Sequence, residues 1–141
     1  MRKSIQLDKT IGGIRFAATV PIAGTKVPSA EARYLIAFER EIARTLCARG
    51  KPTADGFKFL RERSRIKAGE LADLIDVKPE TISRWENEHN AVPGAAWELI
   101  VILAAERLAG QTLMLDQLRE RRRSREHSSD VQHIDVLKLA S

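Results

Sequence analysis

Residues 68–87, AGELADLIDVKPETISRWEN, restrict this chain more than any other stretch. Two short helical runs are separated by only enough chain for a tight turn. Helices joined this way must cross steeply, and that crossing imposes a residue code. A small residue belongs where the helices touch, and Ala72 takes that place. Leu71, Ile75, Val77, Ile82 and Trp85 are spaced to face the junction and the rest of the domain. The turn needs a left-handed residue; Asp76 stands there, a type that tolerates the conformation better than most. Pro79 suits the first turn of the second helix, where its missing N–H costs nothing.

Around this unit the pattern predicts further short helices near 56–65, 94–109 and 111–123, with the unit's own helices at 68–75 and 79–87. Before it, apolar residues alternate. Ile5, Leu7 and Ile11 lie on one side of Gly12-Gly13, and Ile14, Phe16, Ala18, Val20 and Ile22 on the other. Period two about a Gly-Gly pair predicts a β-hairpin. Ser29 is the expected N-cap of a helix running to Arg49, stopped by Gly50 and Pro52. In that helix Leu35, Ile36, Glu39, Ile42, Ala43 and Leu46 recur at helical spacing; Arg40, Glu41 and Arg44 form the wet face. Residues 51–56 are expected to be a linker.

The expected fold is therefore mainly α. Residues 1–50 form a hairpin and helix suited to dimerisation or partner binding; 51–110 form the helical domain; 111–141 form a last helix and a basic tail. The tail reads RERRRSREHSSD from Arg119, either a solvated helix end or an arm for phosphates. Residues 131–141 suit a short strand or a disordered end.

Charge points outward to an anionic partner: 24 Lys and Arg against 19 Asp and Glu leave +5 over 141 residues. The one cysteine, Cys47, permits no intrachain disulfide, which fits a reducing compartment, and is expected to serve as a small apolar residue. His89, His127 and His133 stand too far apart for a metal-ligand pattern. The N-terminal segment lacks the apolar core of a signal peptide, and residues 99–105 are too short to span a bilayer, so a cytoplasmic protein is expected. No catalytic triad, dyad or Gly-rich phosphate loop is spaced for chemistry, so neither an enzyme nor a cofactor is expected.

Residues 59–93, FLRERSRIKAGELADLIDVKPETISRWENEHNAVP, resemble the XRE helix-turn-helix family of Cro type. The resemblance spans about 56–108 and implies a lambda-repressor-like domain whose helix from Pro79 enters the major groove of DNA. It also implies an ion pair between Arg61 and Glu86 that orients this helix. Two features depart from the family pattern. Ala68 replaces a glutamine that holds a phosphate, and Lys67 replaces the preceding Ser/Thr cap, offering a cation instead. ENEHN replaces the usual ENG, so the helix either runs on or ends at Asn90.

On the second helix Ile82 and Trp85 turn inward, which leaves Lys78, Glu80, Thr81, Ser83, Arg84 and Asn87 for bases. Arg84 suits bidentate readout of guanine; Thr81 or Ser83 suits a thymine methyl or a phosphate. Glu80 either accepts from cytosine or simply complements the helix dipole. Lys58, Arg63, Arg65 and Lys67 form the expected phosphate cluster, and Trp85 and Trp97 are expected in the core.

The order hairpin, helix, then this domain also resembles the MqsA/YgiT-type antitoxins, which carry a zinc-binding N-terminal module. Their paired cysteines have no counterpart here, so no metal is expected, while the resemblance implies a toxin as a partner. Residues 93–110, PGAAWELIVILAAERLAG, are apolar nearly all round and are expected to be buried, with part of that surface meeting a second chain or the tail. A homodimer would set two reading helices one DNA turn apart on an inverted repeat.

Overall fold

A computed structural model describes residues 3–22, 28–125 and 131–141. The chain forms an antiparallel hairpin followed by helices. Strands β1 (Lys3–Ile11) and β2 (Ile14–Ile22) pair with Leu7 opposite Ala18 and Ile11 opposite Ile14. Gly12 and Gly13 both take positive φ, 63° and 76°, as a two-residue turn between right-twisted strands requires. The alternation divides the faces. Leu7, Ile11, Ile14 and Phe16 are half-buried and Val20 is buried, whereas Gln6, Asp8, Thr10, Arg15 and Thr19 are exposed. On the outer face the Arg15 guanidinium holds the Asp8 carboxyl below the usual carboxylate range.

Helix α1 (Pro28–Arg49) starts one residue before Ser29, the expected cap. Its apolar stripe is used unevenly. Ile42, Ala43 and Leu46 are fully buried, but Leu35 and Ile36 remain exposed, because the helix outruns the elements packed on it. Of the 51–56 segment only residues 51–53 connect helices, and residues 54–56 already belong to the next one. Thr53 caps α2 (Ala54–Arg63) by accepting from the Gly56 N–H at 3.1 Å. Asp55, in the first turn of α2, accepts from the Gly12 N–H at 3.1 Å and so ties the hairpin turn to that helix. Leu46 of α1, Phe57 and Leu60 of α2, and Trp97 and Leu103 further on share one core. The boundary expected near residue 50 therefore separates no cores.

Helices α3 (Ala68–Leu74) and α4 (Pro79–Glu86) follow, then α5 (Gly94–Leu108), α6 (Leu113–Arg125) and a single turn, α7 (Val136–Leu139). Four consecutive helices close by the same device. Arg65 after α2, Asp76 after α3, Glu88 after α4 and Gly110 after α5 all take positive φ. In each case the next N–H bonds back to a carbonyl five residues earlier: Ile66 to Arg61, Val77 to Ala72, His89 to Arg84, and Gln111 to Glu106. Only the last of these positions is glycine. The ENEHN ending thus neither extends α4 nor ends it at Asn90: Asn87 is the cap and Glu88 turns the chain.

Helix α5 packs against α1, α2 and α6, yet it is not buried all round. Ala95, Glu98, Ile102 and Ala105, at helical spacing, face solvent. Three neighbours cover three sides of a cylinder, and half of the fourth stripe here is alanine, which is cheap to expose. The Glu106 carboxylate reaches from α5 to accept from the Leu113 and Met114 N–H groups at 2.9 and 2.8 Å, capping the first turn of α6.

The basic tail is the largest departure from expectation. Arg119 pairs with Glu70 at 2.8 Å, Arg122 with Asp73, and Arg125 donates to the Asp73 carbonyl at 2.9 Å. Three arginines, three residues apart on α6, thus lie along α3. The last meets carbonyls at the C-terminal end of α3, where a cation is favoured. Residues 131–141 form neither a strand nor an irregular end alone: Asp135 caps the α7 turn by accepting from the Lys138 N–H at 3.1 Å. Val131, Ile134, Val136, Leu137 and Leu139 are all exposed.

Candidate nucleic-acid interface

The face that α4 presents is determined by what anchors it. Ile82 is fully buried, and Trp85 meets the Phe57 ring edge-on with centroids 5.8 Å apart. Next to Trp85 in sequence, Glu86 takes a fork from Arg61, with Nε to Oε2 at 2.6 Å and Nη2 to Oε1 at 2.9 Å. The remaining Arg61 nitrogen, Nη1, donates to the Ile66 carbonyl at 2.9 Å. Both side chains are about nine-tenths shielded, so the pair is locked between α2 and α4. The hydrogen bonds to Glu86 raise the Arg61 pKa and keep the guanidinium charged.

These anchors leave Lys78, Glu80, Ser83, Arg84 and Asn87 exposed and Thr81 half-buried. Among the described residues neither Lys78 nor Arg84 makes an ion pair. Ser83 and Asn87 are partly occupied. The Asn87 amide donates to the Ser83 carbonyl at 2.8 Å and to its hydroxyl oxygen at 3.1 Å, closing the last turn of their own helix. The Ser83 O–H proton and the Asn87 carbonyl oxygen remain available. Glu80 lies in the first turn, where the helix dipole favours it.

Lys78, Glu80, Thr81, Arg84 and Asn90 line one shallow hollow. Asn90 is absent from the base-reading set read off the sequence. It arrives because the chain folds back after Glu88, the Asn90 N–H bonding to the Arg84 carbonyl at 3.3 Å. A non-glycine residue in the left-handed region leaves no composition signal, so only the ENEHN departure hinted at it.

The four expected phosphate contacts separate. Lys58 is exposed on α2, one turn before Arg61. Lys67 is exposed at the N-cap of α3 and makes no side-chain capping bond. Arg63 is instead taken up by Glu39 of α1 and lies over the Phe59 ring, 5.2 Å from its centroid. Arg65 shares a hollow with residues of α1 and α5, none of them from α3 or α4. Arg63 and Arg65 therefore do not join the α4 face, because both lie beside residues of α1 and α5.

Among the described residues no three His, Cys, Asp or Glu side chains gather as metal ligands, and no helix is long and apolar enough to cross a membrane. Comparison of the chain with protein-family models, with characterised proteins and with solved structures gives no match.

Proposed function

We propose that the chain is a non-catalytic, sequence-specific DNA-binding repressor with a lambda-repressor-like helix-turn-helix formed by α3 and α4. The observation that carries this reading is the division of α4. One side is seated by Ile82, Trp85 and the Arg61–Glu86 fork; the other presents Lys78, Glu80, Thr81 and Arg84 with both cations free of ion pairs among the described residues. A short helix held rigidly by its inner face and carrying an unpaired guanidinium outward suits major-groove readout. Lys58 and Lys67 flank it as phosphate contacts. The protein acts as a homodimer on an inverted repeat, blocks transcription from that operator, and regulates its own gene in the manner of an antitoxin.

Gel-shift titration of the full chain on the DNA upstream of its own gene tests this. A preference for one fragment over scrambled duplex, lost in Arg84→Ala, is expected. Equal binding to every fragment at every salt concentration would sink the claim of specificity.

A second reading has its own observation. Leu7, Phe16 and Val20 of the hairpin and Tyr34 and Phe38 of α1 line an open apolar groove of about 630 Å³. Such a surface suits a protein partner, a toxin in the antitoxin reading, with DNA binding secondary. Co-purification of a neighbouring gene product with wild type and Arg84→Ala alike, but not with Phe16→Glu, is the result this reading requires.

A further inference from the structure

Arg40 of α1, Arg63 and Arg65 at the end of α2, and Arg107 of α5 converge on one half-open hollow of about 530 Å³, which Glu39 and Glu62 also line. Four guanidiniums against two carboxylates leave a local charge of +2. The size lies within the range of clefts that hold small ligands.

Two of the arginines are held in place. Arg63 is fixed by Glu39, whose other oxygen is 3.6 Å from Lys9. Arg107 is fixed by bonds from Nε and Nη2 to the Ser64 carbonyl at 3.3 and 3.0 Å. The other two are free: among the described residues Arg40 and Arg65 make no ion pair and no side-chain hydrogen bond. Arg65 also occupies a left-handed position, φ 59°, that glycine would fill at less cost.

From these observations we propose that the hollow binds the phosphate group of a free, phosphorylated small molecule. The free guanidinium forks of Arg40 and Arg65 can each take two phosphate oxygens, and the fixed Arg63 and Arg107 add positive charge to the wall. The site joins α1 to α2 and α5 and takes nothing from α3 or α4. It stands whether or not α4 reads DNA.

Calorimetric titration of the full chain with pyrophosphate, against potassium chloride at matched ionic strength, is the test. Saturable binding is expected. The double variant Arg40→Ala, Arg65→Gly should weaken it about tenfold or more, as loss of charged hydrogen bonds implies. That variant is chosen to fold: Arg40 is on the wet face of α1, and glycine relieves position 65. Lys78→Ala, Arg84→Ala should bind pyrophosphate as wild type does. The proposal fails if pyrophosphate does no more than the chloride control. It fails equally if the Arg40, Arg65 variant binds unchanged, if the Lys78, Arg84 variant loses binding, or if excess duplex DNA displaces the ligand.

Discussion

The Arg61–Glu86 pair shows how much rests on single side chains in a chain this small. Two charges about nine-tenths shielded have little solvation left, so each depends on the other. Either Arg61→Ala or Glu86→Ala strands a buried charge and should cost about 3–5 kcal/mol, read from urea unfolding. A double replacement by Met and Leu should cost less than either single change, because no charge is left stranded. Cys47 is the opposite case. It is half-buried beside the Val101 carbonyl, and burial pushes its thiol pKa up. Thiolate is the reactive form, so alkylation of the native protein at pH 8 should be much slower than after unfolding. Mass spectrometry over a time course checks this. The inward Trp85 was legible in the helical spacing, and the pair followed only from the family resemblance of residues 59–93. The removal of Arg63 from the phosphate set was not, since its partner Glu39 lies 24 residues away on another helix.

At the scale of elements, the recurring helix closure makes a specific prediction. Glu88 is exposed, makes no ion pair among the described residues, and holds a φ of 64°. Glu88→Gly should stabilise the protein by about 0.5–1 kcal/mol after allowing for the looser unfolded chain, raising Tm by about 2 °C. Gly56 behaves conversely. A Cβ there would lie 2.6 Å from the Thr53 hydroxyl that caps α2 and 3.2 Å from Trp97, so Gly56→Ala should destabilise despite alanine's helix preference. The α6 clamp is a third case. Replacing Arg119, Arg122 and Arg125 with serine should lower Tm by a few degrees, more at low salt than at high. If these arginines serve α3 rather than phosphates, the same variant leaves the salt slope of DNA binding unchanged. Element existence was readable from periodicity. Which elements touch was not: arginines in a hydrophilic run look alike until Glu70 and Asp73 are brought alongside.

For the whole molecule, the proposed DNA face carries two phosphate candidates per chain, Lys58 and Lys67, in place of the four first expected. The log–log salt dependence of binding to one half-site should then have a slope of about −2, doubling for a dimer on two half-sites. Nitrocellulose filter binding across a salt series measures it. The sequence by itself determined the hairpin, the positions of five helices from residue 54 onward, and the inward and outward faces of α4. Those follow from local rules: alternation at period two, apolar spacing at 3.6, and proline at a helix start. Only the tertiary structure decided that hairpin, α1 and the later helices share a core, that the basic tail lies on α3, and that arginines from three helices and the turn after α2 meet in one hollow. Each depends on residues far apart in the chain, and contacts between distant segments leave no periodic trace in either.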